Sequence, residues 1–236
     1  MAIKDDLITD VDSTITTTWN IRDGRVVPGT DGITLNGGAV KLSAAYLYAD
    51  LANSSLMAKT LDPRVTAKIL KAFLSTSTRL IRHKGGTVVS FDGDRVLGIF
   101  VGDTKVTNAA ECALKINWAV TNLIRPKFEN KYSTVANAPF TISHGVGIDS
   151  GEVLIVRAGA RNANDLISIG RGPNLAAKLS DIRDGKFRTF LTRSSYDVMM
   201  DSSKLSSDRR NMWTVGSYDY KGERVEIVKS GWTWVP

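Results

Sequence analysis

Two aspartates stand where strand-like runs meet turns. Asp50 ends the apolar run Val40–Leu51, and Asp94 lies in Phe91-Asp92-Gly93-Asp94-Arg95. Carboxylates on neighbouring strand ends can share hard divalent cations, because Mg²⁺ and Mn²⁺ take oxygen ligands and keep positions open for phosphate. Two such ions together can activate an attacking oxygen and neutralise a leaving group. Aspartate is also a common turn residue, so spacing alone leaves both readings open. Small polar and glycine-rich segments offer a second chemistry. Asn53-Ser54-Ser55 follows the Asp50 run, and Gly170-Arg171-Gly172-Pro173-Asn174 opens a helix on which Asn174 and Lys178 fall one turn apart. Backbone N–H groups in such segments can hold a triphosphate, and the same residues also make ordinary helix caps.

The other reactive residue types read as structural. His83 belongs to the basic last turn of a helix, where it offsets the helix dipole or faces solvent. His144 sits in a strand pattern with no second histidine or cysteine near it, which argues against a metal or triad role. Cys112 falls on the apolar side of a helix as a packed thiol, and Trp232 and Trp234 cover a core edge. No strand carries the aromatic signature of an RNA-reading sheet.

These residues need a scaffold, and the periodicities supply one. Ile3, Leu7, Ile8, Val11, Ile15 and Trp19 recur at helical spacing, so the first helix packs an apolar stripe on the body or on a second subunit. Residues 20–39, rich in Gly, Asp and Asn, predict a loop or loose hairpin. Asp62-Pro63 opens a helix that Gly85-Gly86 ends. Strands at 87–91 and 95–101 flank Asp92-Gly93, a strong hairpin signal. A second helix runs from about 103 to 125 and stops at Pro126. A strand pair at 140–149 and 152–158 turns at Ser150-Gly151, and a short strand at 167–169 leads into a helix at 174–179. A strand at 187–191, a short helix near 194–200 and a closing strand pair at 212–217 and 223–229 complete the chain. This order is α+β, and a ferredoxin-like split βαβ core around a central antiparallel sheet is the simplest assembly. Residues 1–39 form an N-terminal extension, and residues 40–236 the main domain.

Composition narrows the setting. The 236 residues hold 31 Lys and Arg against 24 Asp and Glu, a net charge of +7. That surplus suits a polyanionic partner such as nucleic acid or a nucleotide triphosphate, and equally an ordinary basic surface, because no run of five basic residues occurs. One cysteine excludes an internal disulfide, and no apolar stretch is long enough to span a membrane. The chain reads as cytoplasmic, without a membrane partner.

Three segments together resemble the catalytic domain of class III nucleotidyl cyclases. They are Val40–Leu51, Gly85–Phe100 with its Gly-Gly…Gly-Asp hairpin, and His144–Glu152 followed by Gly170–Leu179. Departures from the purine-using members point further. Their base-reading lysine is Ser90 here, the adenine-reading Asp or Thr is Ile167, and the phosphate-binding arginine is Lys178, a point charge without a bidentate fork. Losing both hydrogen-bonding partners removes adenine recognition. The chain is most similar to the pyrimidine cyclases of bacterial Pycsar anti-phage systems, through Gly24–Pro28, the Tyr-Ala-Asp-Leu strand end and Gly-Arg-x-Pro-Asn-x-Ala-Ala-Lys-Leu.

The resemblance implies a homodimer with two shared sites that cyclises UTP, or alternatively CTP, for a separately encoded effector that responds to the cyclic nucleotide. Asp50, Asp94 and the carbonyl of Leu51 would hold two Mn²⁺ or Mg²⁺ ions, with Asn174 and Lys178 supplied by the other subunit. Tyr48, Ser54, Ser55, Ser90, Arg95 and Ile167 are the expected substrate contacts. An adenylate, guanylate or diguanylate cyclase and a basic RNA-binding module are the competing classes. The missing Gly-Gly-Asp/Glu-Glu-Phe turn argues against the diguanylate type, and Asp50, Asp94 and Asn174 together argue against a binding module, so no stable nucleic-acid partner is expected.

Overall fold

The computed structural model describes residues 3–160 and 162–236. In chain order its helices and strands are α1 (Ile3–Thr16), β1 (Asn20–Asp23), β2 (Gly38–Leu51), α2 (Ser54–Thr60), α3 (Pro63–His83), β3 (Thr87–Asp92), β4 (Arg95–Phe100) and α4 (Lys105–Trp118). There follow α5 (Arg125–Lys131), α6 (Ser133–Ala136), β5 (His144–Ala160), β6 (Ala163–Ile169), α7 (Arg171–Ser180), β7 (Thr189–Thr192), α8 (Arg193–Asp197), α9 (Asp201–Lys204), β8 (Thr214–Tyr220) and β9 (Glu223–Ser230).

One mixed, mostly antiparallel sheet runs β3-β4-β2-β5-β7-β9-β8, with β1 beside β2 and β6 beside β5. Strands β2 and β5 form its centre, antiparallel from Ala39↔Val156 to Leu51↔His144. Alternation along β2 divides the two faces. Leu47, Ala49 and Leu51 pack under α3 and α4 with Ile69, Phe73 and Ala109. Leu42 and Tyr46 face the other way, with Val153 of β5 and Ala176 of α7. Helix α3 buries Val65, Ile69, Phe73 and Leu80 along one stripe, and Asp62 caps it by accepting from the Arg64 N–H at 2.8 Å.

Glycines set how closely α7 lies on the sheet. A Cβ at Gly147 would stand 2.0 Å from the Ala176 carbonyl oxygen, and one at Gly145 would stand 2.3 Å from that of Ser180. Only a strand without side chains at both positions lets helix backbone touch sheet backbone. Gly147→Ala is therefore expected to lower stability by about 1–3 kcal/mol through overpacking. Gly151→Ala, whose added Cβ meets nothing within 4 Å, is the control. Urea unfolding of the two variants checks the difference.

Three sequence expectations are corrected and a fourth is narrowed. Ser150-Gly151 is not a turn: β5 continues through it for 17 residues, because its pairing with β2 extends to Val156. The reversal falls after Ala160, between Gly159 at φ 116 and Asn162 at φ 66, which supply left-handed backbone. Pro126 does not stop its helix. The chain passes through a π-helical turn, Ala119–Ile124, and Pro126 falls in the first turn of α5, where its missing N–H is harmless. Residues 20–39 are not all loop, since β1 pairs in parallel with Gly38–Lys41. Of the two places expected for the stripe of helix α1, the body is excluded, since α1 buries none of its residues there and Ile3, Leu7, Val11 and Ile15 are each more than half exposed, which leaves a second subunit. The α+β class, the Asp92-Gly93 hairpin, the covering role of Trp232 and Trp234 and the buried Cys112 are as expected. Among the described residues no helix is long and apolar enough to cross a membrane.

Candidate active site

The C-terminal end of β2 and the β3–β4 turn meet at one corner of the sheet. Asp50 pairs with Arg95 across β2–β4, and the Leu51 N–H donates to the Asp94 carbonyl at 3.3 Å. Asp50 is buried, 7% exposed, and points to the α7 face that Tyr46 and Tyr48 share. Both its oxygens meet arginines: Arg95 Nε donates to Oδ1 at 3.3 Å and Arg183 Nη2 to Oδ2 at 2.6 Å. Burial and the neighbouring Asp94 raise the Asp50 pKa, against the two guanidiniums, which lower it. Asp50, the neighbouring Asp94 and the Leu51 carbonyl offer oxygen donors only, the kind that suits a hard divalent cation. Among the described residues no group of three or more His, Cys, Asp or Glu side chains could hold a metal ion by itself.

The structure groups some expected contacts and separates others. Tyr48 lies two residues before Asp50 with the Arg95 guanidinium 6.0 Å from its ring centre, and burial raises the pKa of its phenol. Ser90, beyond a bulge in β3, stands opposite Leu97, which stands opposite Tyr48. Ser54 and Ser55 begin α2, three residues past Leu51; Asn53 before them is left-handed at φ 63 and its side chain makes no cap bond. Ile167 is elsewhere. It pairs with Val156, eleven positions along β5 from the Gly145 that faces Asp50, and it is 46% exposed. Its groove also holds Trp19, Leu35 and Ile169. Asn174 and Lys178 lie on the exposed side of α7, and Asn174 Nδ2 donates to the Gly170 carbonyl at 3.0 Å. Neither makes a recorded bond to Asp50 or Asp94.

Sequence reasoning missed Arg183 and Asp181. They follow α7 in an irregular segment with no motif, and only the fold brings Arg183 to a carboxylate 133 residues away. His144, beside Leu51, is fully buried against Phe73, and neither ring nitrogen has a hydrogen-bond partner. Burial, helped by Arg188, Arg183 and Arg125, pushes its pKa down to about 3 from the ordinary 6.5. The folded protein thus keeps this imidazole neutral where the unfolded chain protonates it. Stability should be unaffected by His144 above pH 6.5 and fall by about 1.4 kcal/mol per pH unit as pH drops from there toward 3. His144→Phe should remove that slope in urea titrations at successive pH values, and an unchanged slope would refute the assignment.

No protein-family profile matches the chain. Its fold matches the crystal structure of the guanylyl cyclase Cya2 with a TM-score of 0.65, at 19% identity, over 83% of this chain and 95% of that one. A corner bearing two aspartates on that scaffold defines the class III nucleotidyl cyclase domain. At the sequence level the chain is 52% identical to a uridylate cyclase of Rhodovulum sp. (strain MB263), over 98% of this chain and 97% of the relative. It is 35% identical to a uridylate cyclase of Xanthomonas perforans, over 99% of both. The chain belongs to the uridylate cyclase family.

Proposed function

We propose that the protein converts UTP to 3′,5′-cyclic UMP and pyrophosphate, as a homodimer with two shared sites. The near-full-length 52% identity to a uridylate cyclase carries this reading. In the reaction the ribose 3′-oxygen attacks the α-phosphorus in line, the bond to the β-phosphate oxygen breaks, and the 3′ proton leaves to solvent. Divalent cations held by Asp50, Asp94 and the Leu51 carbonyl would supply charge neutralisation and a more acidic 3′-hydroxyl. Asn174 orients the ribose, and Lys178 meets the negative charge that builds on the α-phosphoryl oxygens. The exposed position of Asn174 and Lys178 on α7 supports their serving the site of a second copy.

Tyr48, Ser90 and Arg95 share a face beside Asp50, and Ser54 and Ser55 stand at the start of α2 near the polyphosphate. A serine at 90 presents one hydroxyl where purine enzymes of the resembling class carry a cation, which suits the smaller pyrimidine. Ile167 would join this pocket only across the subunit boundary. Residues 1–39 then extend a catalytic domain of residues 40–236. By resemblance, the product is a second messenger in defence against phage, read by a separate effector.

Product analysis tests the proposal. The purified protein is incubated with each of the four ribonucleoside triphosphates and Mn²⁺, and products are resolved by chromatography and mass. Cyclic UMP alone is the expected result. Cyclic CMP alone would keep the chemistry and move the base assignment. Cyclic AMP or cyclic GMP would overturn the reading of Ser90 and Ile167, and affinity for RNA that falls steeply with salt, without turnover, would replace the enzyme with a binding module.

A further inference from the structure

Beyond the aspartates, the corner contains a device built around one side chain. Arg183 Nη2 donates to Asp50 Oδ2 at 2.6 Å, while Nη1 donates to the Ser180 carbonyl at 2.6 Å and the Ile182 carbonyl at 3.1 Å. Ser180 is the last residue of α7, so the guanidinium sits at the helix's negative end and on the carboxylate at once. Room for it comes from Gly145, which pairs with Asp50 in the sheet. A Cβ at 145 would lie 2.5 Å from Arg183 Nη1. Arg95 repeats the connection through the other carboxylate oxygen, since its Nη2 bonds Asp181, the residue that follows Ser180.

We propose that Arg183 is the positioning residue for Asp50: a single guanidinium fixes the direction of that carboxylate by tying it to the end of α7. The inference rests on reading Asp50 as a metal ligand. A planar fork can span carbonyl and carboxylate together, and the single ammonium of lysine cannot reproduce both bonds in that plane. A carboxylate held by its own chain has an orientation independent of the arriving substrate, and small misplacement in such a site is expensive in rate.

Two measurements on the full-length protein test this. The first needs neither metal nor turnover. Urea unfolding of Asp50→Asn, Arg183→Gln and the double variant should show strongly non-additive effects, because each single change removes the same bond. Additive effects would overturn the proposal. The second measures Mn²⁺ binding by calorimetry together with steady-state kinetics.

Arg183→Gln should keep the Mn²⁺ heat and its nucleotide KM while kcat falls roughly 10- to 100-fold, and Arg183→Lys should recover little of that loss. An unchanged kcat in Arg183→Gln would overturn the role. So would full recovery in Arg183→Lys, or loss of Mn²⁺ binding, kcat and cooperative unfolding together, the mark of a merely structural residue. Asp50→Ala separates the two levels. If that variant retains the wild-type Mn²⁺ heat, the metal reading itself fails, whatever Arg183 does.

Discussion

Asp94→Ala is expected to reduce cyclase turnover by roughly 10³-fold or more, since on the proposed reading it removes a metal carboxylate and with it several kcal/mol of transition-state stabilisation, each 1.4 kcal/mol being a factor of ten. Asp94 is the cleaner of the two aspartates to remove. Among the described residues it makes no ion pair, whereas Asp50 satisfies both Arg95 and Arg183. Asp50→Ala should abolish turnover to the same extent and also leave two guanidiniums facing each other, so it should unfold at lower urea. Measuring cyclic nucleotide release alongside circular dichroism separates chemistry from folding. Substantial turnover in Asp94→Ala, with its fold intact, would remove the two-metal assignment.

The second large effect is a recovery. Asp50→Ala and Lys178→Ala should each be nearly inactive as pure proteins, because every site in either homodimer lacks one essential group. Co-expressed, they should regain about a quarter of wild-type activity if subunits pair at random, since half the dimers are mixed and each mixed dimer has one intact site. The expectation comes from α7, on which Asn174 and Lys178 are exposed, and from the shared-site reading proposed above. A mixture as inactive as its parents would place all the groups in one subunit and end the shared-site reading.

What the sequence disclosed follows from how local each signal is. The hairpin at Asp92-Gly93 was legible because two adjacent residues encode it, and Asp94 came with it. The buried stripe of α3 and its Asp62 cap are written in spacing and one side chain. The long β5 was misread because Ser150-Gly151 has turn chemistry, while the cause of its continuity lies in a distant partner, β2. The same limit hid the glycines at 145 and 147, which matter for the helix above them and not for any turn. Within the site, motif order brought Asp50 to Asp94, and strand pairing brought Tyr48 and Ser90 into line. The hold of Arg183 on Asp50 has no local correlate at all, because a contact across 133 residues depends on the whole scaffold.

The placement of β2 has a consequence for how the enzyme can be regulated. From Ala45 to Asp50 this strand is hydrogen-bonded on both sides, by β4 and by β5, so the end that carries Asp50 has no free edge. Its amides are therefore expected among the slowest-exchanging of the molecule in hydrogen-exchange measurements. The backbone that carries this carboxylate does not switch by local fraying of a strand edge. If the site is shared as proposed, control over this chemistry acts on what reaches the corner from outside, through the encounter of two chains.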